Sequence, residues 1–141
     1  MAGKKSTEAP NPEKAAPKAP LLFFRDILGQ DRVLSHLRTA RRLGRLAHAY
    51  LFVGPDGVGK GSTARALAAA LNCARPREDG DACGSCPSCL RMLAGTHPNL
   101  VTLFPTSEGH QPQIKIEQVR EFRRLTGYPP LDGGWRVALI K

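Results

Sequence analysis

The chain has 141 residues, 41% of them hydrophobic, and a formal net charge of +9. That length suits one small domain with a single core. No stretch approaches the 18 consecutive apolar residues of a membrane span, and no apolar segment follows the first lysines as it would in a signal peptide.

Residues 1–20 hold almost nothing apolar beyond Ala, together with four Lys, two Glu and four Pro. Such a segment cannot bury enough surface to offset its ordering entropy, so it reads as a disordered tail. It contributes +2 of the charge and leaves +7 to residues 21–141. A basic balance suits nucleic acid or another polyanion such as nucleotide phosphate. An ordinary basic soluble protein would carry the same charge. Arg38, Arg41, Arg42 and Arg45 concentrate it on one stretch, expected as a solvated helix face.

Residues 21–27 form an apolar lead-in. Val33, Leu34, Leu37 and Ala40 then recur at helical spacing, with Gly44 placed to cap the helix end. Residues 49–53 are a short apolar run that stops abruptly at Gly54, the pattern of a buried parallel strand. Ala64, Leu67, Ala68 and Leu71 give a second helical stripe, with further alanines that would let the helix approach a sheet closely. Residues 99–104 predict a strand, and residues 106–113 a polar loop. Ile116, Val119, Phe122 and Leu125 predict a helix stopped by Gly127 and Pro129-Pro130. Residues 135–140 predict a last strand. Alternation of strands and helices implies an α/β fold with a parallel sheet and helices on both faces. A sequence that stops on such a strand reads as incomplete at its C-terminus, because a parallel sheet needs its next crossover.

Gly54-Pro55-Asp56-Gly57-Val58-Gly59-Lys60 matches G-x-x-x-x-G-K between a predicted strand and a predicted helix. Glycines there let backbone N–H groups turn around phosphate oxygens, the helix N-terminus adds partial positive charge, and the lysine reaches the outer phosphates. A magnesium-binding loop of this kind presents Ser or Thr directly after the lysine. Here that residue is Gly61, and Ser62 follows about 100° further round the helix. Phosphate binding is expected to persist, through residues 54 and 57–62, with a weakened hold on magnesium. Hydrolysis also needs an acidic residue at the end of a neighbouring strand, which the sequence as far as Lys141 does not reach, so ATP hydrolysis is not expected and no catalytic residue is assigned.

All four cysteines fall at Cys73, Cys83, Cys86 and Cys89, spaced C-x9-C-x2-C-x2-C. Four thiolates complete a closed tetrahedral zinc site, and x2 spacings let a tight turn aim two sulfurs at one metal. Zinc would hold together a segment, 73–89, that is poor in apolar residues. Disulfides are the competing reading, disfavoured in the reducing compartment expected of a nucleotide-binding protein. A full ligand set makes the site structural rather than catalytic. His97 is a minor candidate to replace one cysteine. His36, His48 and His110 carry no ligand signal, Tyr50 and Trp135 read as core or edge residues, and no Ser/His/Asp or Cys/His arrangement is present.

Phe24-Arg25-Asp26-Ile27-Leu28-Gly29-Gln30, His48-Ala49-Tyr50-Leu51-Phe52, the glycine loop and the four-cysteine module together resemble the AAA+ clamp-loader subunits of bacterial DNA polymerase III. The likeness runs from about residue 21 to 141 and makes that stretch the front part of an AAA+ domain with an inserted zinc module. Within the family, Gly95-Thr96-His97-Pro98-Asn99-Leu100, Tyr128-Pro129-Pro130 and Gly133-Gly134-Trp135-Arg136-Val137 look more like delta prime than gamma/tau, and Gly61 agrees. The resemblance implies a non-hydrolysing subunit in the bacterial cytoplasm, at the nucleoid. It would assemble with gamma/tau and delta to load the sliding clamp on primer-template DNA. It also implies adenine near Leu28-Gly29-Gln30 if a nucleotide binds, and phosphates on Gly57, Gly59 and Lys60. Other readings are an ATP-hydrolysing gamma/tau subunit, a small P-loop kinase, or a zinc-ribbon nucleic-acid module. Glu78, Asp79 and Asp81 beside the cysteines count against the last.

Overall fold

A computed structural model describes residues 23–106, 112–130 and 132–141. The expected tail therefore lies outside the described residues, as does most of the polar loop after residue 106. Among the described residues, four α-helices, α1 (Asp31–Arg42), α2 (Lys60–Asn72), α3 (Pro87–Ala94) and α4 (Ile116–Thr126), accompany two strands, β1 (Leu100–Leu103) and β2 (Val137–Ile140). The strands pair in parallel, with Leu100 opposite Val137 and Leu103 opposite Ile140. The fold is thus a small α/β arrangement, joined by a long connection that carries α4.

Helix α2 is the axis of the molecule. Its alanines at 66, 68, 69 and 70 are fully buried because two apolar clusters press on it. On one side lie Phe24, Ile27, Leu34 and Leu37, from the lead-in and α1. On the other lie Phe23, Ala82, Met92 and three of the cysteines. Adjacent Phe23 and Phe24 thus fasten the lead-in to both clusters. Larger side chains on α2 would push these layers apart.

Local signals explain most element ends. Gly44, at φ 64°, lets the chain leave α1 by a left-handed turn. Its N–H donates to the Arg41 carbonyl and that of Arg45 to Ala40, the paired bonds that satisfy orphan carbonyls at a helix end. Asn72, at the end of α2, aligns β2: its amide donates to the Trp135 carbonyl at 2.9 Å and accepts from the Trp135 N–H at 3.1 Å. Gly134 sits so close to this clamp that a Cβ there would lie 2.5 Å from Asn72 Oδ1.

Three expectations change. Residues 49–53 form no strand; among the described residues nothing pairs with them, because β1 and β2 pair only with each other. The alternation survives in packing. Tyr50 and Phe52 lean on the α1–α2 cluster, whereas Leu51 and Val53 stand in solvent at 89% and 84% exposure. The basic stretch on α1 is only half solvated. Arg42 and Arg45 are exposed, but Arg38 reaches Asp79 at 4.0 Å and Arg41 donates to the Gly80 carbonyl. Finally, the stripe on α4 buries no residue fully; Val119 and Phe122 are half-buried and Ile116 and Leu125 exposed.

Candidate functional site: a glycine loop and a four-cysteine cluster on one helix

Helix α2 carries one candidate site at each end. Thirteen residues at 1.5 Å each separate them by roughly 20 Å.

At its N-terminus, Gly59 takes φ 94° and Gly57 φ 80°, left-handed conformations that open the turn into the helix. The first N–H groups of α2 have no carbonyl of their own helix to bond. Lys60, the first helical residue, folds back on the loop and donates to the carbonyls of Gly54 at 2.7 Å and Pro55 at 2.8 Å. Thr63 locks the turn from within, its N–H and its hydroxyl both donating to the Gly59 carbonyl. Gly54, Gly57, Val58, Gly59, Lys60, Gly61 and Ser62 are thereby brought together at one helix end. Gly61 offers no oxygen where a magnesium-binding loop needs a hydroxyl, so the residues present do not fit that metal. Loop, helix end and lysine do fit a phosphate anion.

At the other end, Cys73 follows α2 directly, Cys86 caps α3 and Cys89 lies in the first turn of α3, with Pro87 at the helix start. The four sulfurs of Cys73, Cys83, Cys86 and Cys89 lie within 4.8 Å of one another. Cys73 and Cys86 are 4.0 Å apart, and Cys83 and Cys89 3.9 Å. A tetrahedron of zinc–sulfur bonds has edges of about 3.8 Å, whereas a disulfide needs about 2.05 Å. All four cysteines are free thiols, and the donor set can hold a metal.

Backbone N–H groups point at the sulfurs: Cys83 N–H at Cys73 and Cys86 N–H at Cys83, both at 3.3 Å, and Cys89 N–H at Cys86 at 3.5 Å. Such bonds favour thiolate. The N–H groups of Ser85 and Cys86 bring the Cys83 thiol down to about 5. Burial tends to raise Cys86, but N–H donors from Cys89 and Ala74 outweigh it and lower the group. Burial raises Cys73 and Cys89.

His97 does not join this set. The Asn99 N–H donates to its Nδ1 at 3.1 Å, so Nε2 carries the proton and donates to the Ser88 hydroxyl at 2.9 Å. Burial, helped by the nearby Arg91 charge, keeps the ring below its ordinary pKa and neutral.

Asp81 holds the cysteine segment to the rest of the molecule, a role its sequence position did not signal. Fully buried, its carboxylate accepts the N–H groups of Phe24 and Arg25 at 3.0 and 3.1 Å and pairs with the Arg25 guanidinium at 3.0 Å. Arg25 also donates to the Ala82 carbonyl and lies over the Phe23 ring. The Phe-Phe-Arg of the lead-in would have been the only clue, as aromatic and basic residues in search of a partner.

No described helix is long and apolar enough to cross a membrane.

Comparison with known proteins places the chain in a family. Residues 29–141 match the family model described as DNA polymerase III, delta subunit. The DNA polymerase III subunit tau of Escherichia coli is 38% identical over 120 residues, 83% of this chain and 17% of that protein. The delta' subunit of Pseudomonas aeruginosa is 42% identical over 95 residues, 67% of this chain and 28% of that protein. Protein STICHEL-like 1 of Arabidopsis thaliana is 45% identical over 82 residues, 58% of this chain and 7% of that protein. The chain thus spans less than a third of the length of each of these relatives. It belongs to the DNA polymerase III clamp-loader family.

Proposed function

We propose that this chain belongs to a delta prime-like subunit of the clamp loader, which assembles with gamma/tau and delta to place the sliding clamp on primer-template DNA and does not itself hydrolyse ATP. The observation that carries the reading is Gly61. The loop keeps what grips phosphate, glycines, helix end and Lys60, and lacks the hydroxyl that would hold magnesium for hydrolysis. Its domain is the front part of an AAA+ sheet, which in the complete fold carries helices on both faces. The nucleotide site is formed by Gly54, Gly57, Val58, Gly59, Lys60, Gly61 and Ser62. A structural zinc ion is held by Cys73, Cys83, Cys86 and Cys89, supported by sulfur spacings close to a tetrahedral edge and by N–H groups that favour thiolate.

The reading that competes is an ATP-hydrolysing gamma/tau subunit; relatives named tau or gamma/tau are 38% identical over 120 residues. The two differ in one assay. Protein expressed from its complete reading frame is expected to show no magnesium-dependent ATP turnover above that of its Lys60→Ala variant. Steady turnover that disappears in Lys60→Ala would replace delta prime with gamma/tau.

A further inference from the structure

A nucleotide-binding glycine loop grips magnesium with two of the chain's own groups, the hydroxyl after the loop lysine and a carboxylate at the end of a neighbouring strand. The hydroxyl position is altered here, and a lysine at the end of β2 approaches it in space. Residue 61 is Gly, and the residue directly after β2 is Lys141. The Lys141 side chain runs back to the start of α2. A Cβ built on Gly61 would lie 3.6 Å from Lys141 Cε and 3.8 Å from Nζ. The backbone fixes this reach, since the Lys141 N–H extends the ladder to the Leu103 carbonyl at 3.1 Å. Phe104, one residue beyond β1, supports the ammonium from the side, its ring centre 5.2 Å from Nζ. Among the described residues no carboxylate pairs with this charge.

We propose that the Lys141 ammonium takes the place of the magnesium ion at this loop. The loop then binds the free polyphosphate group of a nucleotide, neutralised by Lys60 and Lys141, with no divalent cation needed. This rests on the reading of residues 54–62 as a phosphate site. Gly61 has a double role: it removes a metal ligand, and it leaves open the space beside which the ammonium lies. A magnesium ion carried in on the phosphates would meet a like charge at close range, so magnesium weakens binding instead of supporting it.

The test is calorimetric titration of the protein from its complete reading frame with ATP and with inorganic tripolyphosphate, each in EDTA and in excess Mg²⁺. The expected result is binding on the order of tenfold tighter in EDTA. Lys141→Ala lowers the EDTA affinity about tenfold and removes the preference, while the Gly61→Ser/Lys141→Asp double variant binds better with Mg²⁺. Lys141→Met, which keeps the chain length, behaves as Lys141→Ala if charge and not packing is responsible. Binding that requires Mg²⁺ and is unchanged in Lys141→Ala, yet is lost in Lys60→Ala, overturns the role of Lys141 and leaves the phosphate site standing. No binding in either buffer overturns both.

Discussion

Purified protein is expected to contain one zinc ion per chain, and Cys89→Ser is expected to abolish that content and unfold the cysteine segment. Cys73, Cys86 and Cys89 are buried in the same cluster as Phe23, Ala68, Ala69 and Met92. Four thiols crowded within 4.8 Å gain little from one another, whereas a bound cation turns their proximity into stabilisation. Zinc binding to small cysteine-rich modules is worth about 10–16 kcal/mol in apparent terms, much of it expressed as folding free energy. Losing it should cost at least about 3 kcal/mol of stability, lowering Tm by roughly 10 °C or more. Elemental analysis alongside thiol titration decides the matter. Four reactive thiols in native protein without zinc would contradict the metal site, and chelator that exposes them only together with a drop in Tm would support it.

Replacing Asp81 with Ala is expected to cost about 3–5 kcal/mol in urea denaturation, a large effect for one residue that touches neither candidate site. The reason is what it leaves behind. The Phe24 N–H lies in the core, with Phe24 only 1% exposed, and the N–H of Arg25 and its guanidinium also lose their acceptor. Unsatisfied buried donors cost about 1–3 kcal/mol each, more when charged. Arg25→Ala should cost less, about 1–2 kcal/mol, because its side chain is one-third exposed and both backbone bonds to Asp81 remain. Equal losses in the two variants would show that the ion pair dominates. A change below about 0.5 kcal/mol in Asp81→Ala would show that the carboxylate does not anchor the segment.

Both candidate sites were legible in the sequence because each is contiguous. Residues 54–62 form one loop and one helix start, and the C-x9-C-x2-C-x2-C spacing lies within 17 residues. Local chemistry likewise announced α1, with Gly44 as its stop, and the Pro and Gly that close α4. Whatever depends on distant partners was not legible. Asp81 reads as one of three acids in a polar loop, and only its bonds to residues 57 and 56 positions away reveal a keystone. Residues 49–53 have the alternation of a strand, yet a strand is defined by a neighbour, and none pairs with them among the described residues. The basic face of α1 looked solvated because nothing in its own spacing tells that the Asp79–Gly80 turn folds onto Arg38 and Arg41. Lys141 carried no signal of its own in the sequence, and its approach to Gly61 follows from strand pairing.

A delta prime-like subunit and a gamma/tau subunit differ in how they assemble. Native mass spectrometry of this protein, from its complete reading frame, mixed with the gamma/tau and delta subunits of its own organism should reveal one complex holding a single copy of it. A protein that stays outside the complex, or enters it in several copies in place of gamma/tau, would contradict a delta prime-like subunit.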